Sequence, residues 1–324
     1  KHRIDEPLYK LTLQTGREVK ATGYHSVYTI SHRLLMPVEV KNLKVGDYVV
    51  VPIRLPNSSA ATNVNLVSEL LNQPDQMLTK IYVKGISNFI KRGFKRLGRY
   101  DTVALKLLRR REIWNGRPSC KEACIHVYHS NNSFPPEIPI SNELMRLLGY
   151  YVSEGCCSRS GRTSTIQLSF GSHEEDLVKD ATRCVRRVFG FRGIRVKRSP
   201  QNEIQLFFGG RLGALVFNQV FRAGKDASTK RVPPMVFNVC HDFKLEFLKA
   251  CIYGDGTACK GTEISYKTTS KDLASDLQYL FLQLGLVAGV TRAYSRRGTK
   301  TLEAYQVYIT NADQLRKLID IVPR

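Results

Sequence analysis

Two stretches about a hundred residues apart decide the fold: LMRLLGYYVSEGC at residues 144–156 and KLEFLKACIYGDGTA at residues 244–258. Aligned, Leu147–Gly155 lies against Leu248–Gly256, and each segment reads as a helix that ends in an acid followed by glycine. Small residues recur four apart, Gly149 with Ser153 and Ala250 with Gly254. That spacing puts them on one face, where two helix backbones can approach closely. The closing glycine suits a left-handed cap. The flanks repeat as well. After the first segment come TSTIQLSF, a helical EEDLVKDATRCVRRVFG, strands at IRVKRS and NEIQLFFGG, and an apolar LGALVFNQVF. After the second come TEISYKTT, SKDLASDLQYLFLQLG, strands at VAGVTRAYS and EAYQVYIT, and NADQLRKLIDIV. Each copy therefore reads α-β-β-α-β-β-α, and two tandem copies imply a pseudo-two-fold monomer.

If the copies pack through their small faces, Glu154 and Asp255 meet at the bottom of the helix pair. Carboxylates held that close stay ionised only with cations between them. Hard oxygen ligands favour Mg²⁺, which keeps waters and bridges to phosphate. Metal ions spanning a scissile phosphate activate a water and stabilise the leaving oxygen. A lone helix of this kind would read as an ordinary capped helix; two matching copies argue for a site.

At these residues the sequence resembles the LAGLIDADG homing endonucleases, over residues 141–324. The resemblance implies four-stranded saddle sheets lying in the DNA major groove, with the last acid of each motif, Glu154 and Asp255, both catalytic and metal-binding, and the adjoining Gly155 and Gly256 counted in the metal site. It implies Mg²⁺, with Mn²⁺ as a substitute, and double-strand cleavage that leaves short 3′ overhangs. Glu154 stands where Asp is commoner, and it reaches the same metal with one more methylene. STKRVP at residues 228–233 resembles the family's lysine-x-isoleucine/valine-proline block and assigns Lys230 a role beside the phosphate. Lys267 is placed in the second half-site, with Gly171 as its counterpart in the first.

The chain carries 50 Lys and Arg against 28 Asp and Glu, a formal charge of +22 divided evenly between residues 1–140 and 141–324. At 42% hydrophobic it is too apolar for a disordered basic tail, so the excess charge belongs to folded surfaces that attract a polyanion. Double-stranded DNA is the expected partner. Base readout is expected from strand residues Arg162, Gln167, Arg195, Lys197, Gln205, Arg292, Arg296, Lys300 and Gln306, each of which could instead contact phosphate or only solvent. Between Lys84 and Arg111 ten basic residues face one acid, with apolar residues interleaved at helical spacing. This predicts one or two amphipathic helices, with Lys91, Arg92, Lys95, Arg96 and Arg99 on the DNA backbone. No apolar run reaches the roughly 20 residues of a spanning helix, and the start is no signal peptide. Eight cysteines without CxxC pairs fit a reducing, cytoplasmic setting.

Residues 1–55 alternate apolar and polar residues with glycine punctuation and read as short β-strands. GREVKATGYHSV at residues 16–27 resembles the TxxH block of intein splicing domains, and VKNLKVGDYV at residues 40–49 resembles their L-x-x-G-D-x-V strand pair. The resemblance makes His25 a proton donor to the scissile amide, with Thr22 orienting it. The family's nucleophilic first block and its terminal His-Asn are not in the sequence, so this chain by itself is not expected to splice. Cys120, Cys124, His126 and His129 gather soft ligands, but their spacing fits no common zinc site and residues 124–129 alternate like a strand. The expectation is an α+β protein: residues 1–55 a partial all-β Hint (splicing) domain, 56–140 a linker and basic DNA-recognition region of archaeal-intein type, 141–240 and 241–324 the two endonuclease repeats. It would act as a monomer, carried within a host protein (the extein) in the precursor. The alternatives are a DNA-binding protein of the same fold, or a splicing element, whose nuclease is inactive.

Overall fold

A computed structural model describes residues 5–31, 33–57, 60–85, 101–110, 123–127, 132–160, 163–191, 193–200, 202–259, 262–297 and 300–318. The elements before residue 141 are short. Strands β1 (Leu8–Thr12) and β2 (Glu18–Thr22) pair with each other, as do β3 (Ser26–Ser31) and β4 (Leu34–Glu39). The strand expectation for this stretch holds, but its alternation does not bury one face. Tyr28, Ile30, Leu34 and Leu35 are all more than half exposed. Two-stranded ribbons have no second layer of their own to cover such side chains.

Residues 60–65, at the start of the expected linker and DNA-recognition region, are tied into the rest of the chain. The Ala60 and Ala61 N–H groups both donate to the Asn238 carbonyl, and β5 (Asn63–Asn65) pairs with β10 (Glu137–Pro139). Between them lie α1 (Leu66–Leu71), β6 (Ile81–Lys84), β7 (Thr102–Ala104), α2 (Leu105–Arg110), β8 (Cys124–Val127) and β9 (Ser133–Phe134). The four strands form a sheet in the order β7-β6-β8-β9. Leu66, Leu70, Ile81, Val83, Leu108 and Ile125 are buried with it. The basic stretch therefore opens on a strand, and α2 is its one helix among the described residues. Lys91, Arg92, Lys95, Arg96 and Arg99 lie outside them. So do Cys120 and His129; His126 sits on β8 stacked against its cross-strand partner Tyr82, with ring centres 5.8 Å apart.

Then follow α3 (Asn142–Glu154), β11 (Gly155–Ser160), β12 (Thr163–Gly171), α4 (Glu175–Phe189), β13 (Arg195–Ser199), β14 (Glu203–Phe208) and α5 (Gly210–Leu215), the last running into a π-helical turn over Val216–Val220. The same order recurs as α6 (His241–Asp255), β15 (Gly256–Cys259), β16 (Glu263–Thr268), α7 (Lys271–Gln283), β17 (Gly289–Arg297), β18 (Lys300–Ile309) and α8 (Ala312–Arg316). Local signals start the helices: the Ser141, Ser270 and Asn311 side chains accept from Leu144, Leu273 and Gln314 N–H and cap α3, α7 and α8. Both sheets are antiparallel, in the orders β11-β12-β14-β13 and β15-β16-β18-β17. Apolar side chains at alternate positions, Ile166, Leu168 and Phe170 with Ile204, Leu206 and Phe208, point inward in the first sheet.

Helices α3 and α6 cross at their small residues. A Cβ at Gly149 would lie 2.6 Å from that of Ala250, and one at Gly254 would lie 2.7 Å from Ser153 Cβ. Arg146 locks the pair further along, with Nη1 2.9 Å from Glu246 Oε2 on α6 and Nε 3.1 Å from Asp180 Oδ2 on α4. Among the described residues no helix is long and apolar enough to cross a membrane.

Candidate active site

The acid that ends each helix stands at this crossing. A Cβ at Gly254 would sit 2.7 Å from Glu154 Oε1, so the Glu154 carboxyl lies over the last turn of α6 beside Asp255. Gly155 and Gly256 do not take the left-handed conformation expected of them; both are extended, with φ of −97° and −83°. The chain leaves each helix straight into a strand, folded back on the preceding turn. A side chain there would meet Tyr151 O at 2.6 Å or Ile252 Cα at 2.6 Å. Close approach, not positive φ, selects glycine at both positions.

Removal from bulk water raises the proton affinity of Glu154 to about 8, and the neighbouring Asp255 and Glu174 add to the rise. Asp255 is raised to about 6, again chiefly by desolvation, with Lys230 and a hydrogen bond from Tyr266 opposing. Its side chain remains open to the groove; crowding by protein atoms around the cleft, not full enclosure, sets the shift. Two acids with raised proton affinity mark a place short of positive charge.

Lys230 supplies part of it. The residue is 2% exposed, its Nζ donates to the Tyr151 carbonyl and stands 3.9 Å from the centre of the Tyr151 ring, and burial lowers the ammonium to about 8. Its own carbonyl accepts from Ser270 Oγ at 2.7 Å, which ties the 223–240 connection to the start of α7. Lys267 is exposed on β16 and reaches the Tyr294 carbonyl at 3.1 Å. Gly155, Lys230, Asp255, Tyr266 and Lys267 line one cavity of about 200 Å³.

Register corrects the pairing of half-sites. Gly155 faces Leu168 and Gly256 faces Tyr266, so the counterpart of Lys267 is Ser169, not Gly171. Gln205 pairs with Ser169, and Gln306 with Lys267. Gln205 and Gln306 are thus equivalent. Their amides donate to Glu203 and Glu263 at 2.9 and 3.1 Å.

On the open face of the first sheet, Gln167, Phe207 and Arg195 form one cross-strand row and Ser169, Gln205 and Lys197 the next. The Arg195 guanidinium lies 4.7 Å from the Phe207 ring centre. Arg292 departs from the expected set. It pairs with Tyr305 in the register of inward-facing Val290 and Val307, meets Glu303 at 3.5 Å, and lines a cleft against β1 and β2. It stands two positions from Val290 along β17, and that parity puts it on the helix side. Arg162 lies outside the described residues, as do the side chains of Arg296 and Lys300. His25 is exposed after the turn that follows β2, its N–H donating to the Thr22 carbonyl at 3.2 Å.

Sequence reasoning missed Tyr266 and Glu174. Tyr266 is the inward position of the alternating TEISYKTT, and Glu174 accepts from the Gly171 N–H at 2.7 Å where β12 ends. Among the described residues no three His, Cys, Asp or Glu side chains form a metal cage. The donor set on offer is a pair of carboxylates whose charges are incompletely balanced. Such hard oxygens suit a hydrated divalent cation that completes its shell with water and phosphate.

Residues 242–323 match the family model of the LAGLIDADG-like domain. An uncharacterized protein of Methanocaldococcus jannaschii is 27% identical over 98% of this chain and 37% of its own length. The DNA polymerase II large subunit of Thermococcus kodakarensis is 29% identical over 85% of this chain and 15% of its own length. The chain thus spans well under two thirds of these curated relatives. Of solved structures, the homing endonuclease I-DmoI in complex with DNA and calcium aligns at a TM-score of 0.42 and 12% identity, over 56% of this chain and 90% of that one. The N-terminal LAGLIDADG domain of DUF199/WhiA aligns at 0.36 and 12%, over 57% and 83%.

Proposed function

We propose that the chain is a site-specific double-strand DNA endonuclease carried within an intein, and that it hydrolyses phosphodiesters with a divalent metal, Mg²⁺ or Mn²⁺. The convergence of Glu154 and Asp255 at the crossing of two equivalent helices carries this reading. Glu154 and Asp255, with the adjoining Gly155 and Gly256, would hold the metal, which when bound supplies a water of lowered pKa and charge at the leaving oxygen. Lys230 keeps a fixed cation beside the carboxylates, and Lys267 offers an exposed one at the opening of the same cavity. The open sheet faces, through Gln167, Arg195, Lys197, Gln205 and Gln306, would lie along the major groove, where such side chains reach base edges.

An intein setting agrees with matches to archaeal DNA polymerases that cover only part of those chains. Thr22 and His25 would belong to the splicing module, the host protein flanking it as extein, and the nuclease would act as a monomer. The boundaries at 55/56, 140/141 and 240/241 belong to the same proposal.

The test is cleavage of supercoiled plasmids carrying uninterrupted host alleles, with Glu154→Gln and Asp255→Asn alongside. Metal-dependent linearisation lost in both variants, with DNA affinity kept, supports the reading. A competent gel shift without nicking under Mg²⁺ or Mn²⁺ overturns it in favour of a DNA-binding protein.

A further inference from the structure

The register that makes Ser169 and Lys267 equivalent also makes Leu168 and Tyr266 equivalent, each directly across from the glycine that follows a motif acid. Both side chains point into the core: Leu168 is fully buried and Tyr266 is 4% exposed. Only one of them has a polar atom. The Tyr266 side chain lines the cavity with Asp255, Lys230 and Lys267, and its hydroxyl stands near enough to the Asp255 carboxylate to lower that acid's pKa as a donor. Leu168 can offer Glu154 nothing comparable. A buried hydroxyl needs a partner, and a carboxylate with one oxygen held by a rigid aromatic donor has little rotational choice left for the other. Glu154, with one more methylene, is held by packing over Gly254.

We propose that Tyr266 is a positioning residue for Asp255, and that it makes the two half-sites unequal: scission of one DNA strand depends on its hydroxyl and scission of the other does not. The inference rests on the nuclease reading but concerns one oxygen atom within it. Hydrogen bonds that orient a ligating carboxylate are worth about ten- to a hundredfold in affinity or rate, so at least a tenfold effect on one side is expected.

The experiment compares wild type with Tyr266→Phe, which deletes that oxygen and keeps the ring. Strand-specific end labels report each nick separately, and Ca²⁺ titration of the DNA complex by calorimetry gives a readout independent of turnover. The expected result is one strand cut about tenfold or more slowly, so that nicked circles accumulate, with the second strand within about twofold of wild type and Ca²⁺ binding weakened about tenfold. DNA affinity and melting temperature would stay near wild type. Equal slowing of both strands, or unchanged nicking with an unchanged Ca²⁺ isotherm, overturns the assignment. If wild type cuts neither strand, the nuclease reading fails instead, and the Ca²⁺ isotherm still decides for or against Tyr266.

Discussion

The Lys230 ammonium donates to the main-chain carbonyl of Tyr151 while standing over the ring of the same residue, 3.9 Å from its centre. One residue of the last turn of α3 thus holds a buried cation next to the acid that ends that turn. Lys230→Met removes the cation and keeps the stem. Cutting falls at least about a hundredfold if the ammonium stabilises charge in the transition state, while DNA affinity changes little. Stability supplies the pH signature. Folding lowers the Lys230 pKa from 10.5 to about 8, so between those values the unfolded chain binds more protons and this group's contribution to stability rises with pH. Denaturant melts at pH 7.5 and 10 should therefore show wild type gaining on Lys230→Met. A constant gap would mean that Lys230 is not buried as an ammonium.

The acid pair predicts the opposite slope. Glu154 and Asp255 have folded pKa values raised to about 8 and about 6, so the folded state binds more protons than the unfolded one across that range and stability is lost as pH rises through it. Glu154→Gln keeps the shape without the charge. It should stabilise the protein at pH 8.5 by on the order of 1–2 kcal/mol, allowing for solvent screening of a partly open site. The gain should vanish near pH 4.5. Millimolar Mg²⁺ should raise the melting temperature of wild type and not of the variant. Melting curves in EDTA and in Mg²⁺ at the two pH values check all three outcomes.

What the sequence shows of this site follows from period and contact. The repeat was legible because helix and strand periods recur in step, and the acid pair followed because small residues four apart demand a close crossing. Cross-strand register was not legible. Ten residues separate Gly256 from Tyr266 and thirteen separate Gly155 from Leu168, because the two hairpins differ in length. Counting back from the aligned helix starts at Asp176 and Asp272 sets Lys267 against Gly171, whereas strand pairing sets it against Ser169, because the stretch from Ser169 to Asp176 is two residues longer than that from Lys267 to Asp272. The same limit hid which face Arg292 takes. Near the N-terminus, alternation marked strands correctly but could not say whether anything covers Tyr28 and Ile30.

Gly149 tests the crossing itself. In a free helix, alanine would be better than glycine by about 1 kcal/mol. Here its methyl would press on Ala250 Cβ at 2.6 Å and on the Phe247 carbonyl. Overpacking of this kind costs about 1–3 kcal/mol, so Gly149→Ala should lower stability. Gly254→Ala would push on Ser153 and on Glu154 Oε1, and should lose more activity than stability. Urea melts and nicking rates on both variants check this. A stabilised Gly149→Ala would mean that α3 and α6 do not cross at this point.

Parity along the strands separates two basic residues that composition treats alike. Lys197 stands beside Gln205 and Ser169 on the open face of the first sheet. Arg292 sits in the inward register of the second, against Glu303 and near the Lys10 to Glu18 ion pair that packs β1 and β2 beside α7. If the open faces meet the duplex, Lys197→Ala should weaken DNA binding and reduce the slope of log affinity against log salt by about 1 when that ammonium contacts phosphate. Arg292→Ala should leave the slope unchanged, since a side chain turned toward the protein releases no counterion from DNA. Fluorescence anisotropy across a salt series separates the cases. Equal slope changes would mean that the helix side of the second sheet, where Arg292 meets Glu303, also approaches DNA, and would overturn the assignment of faces.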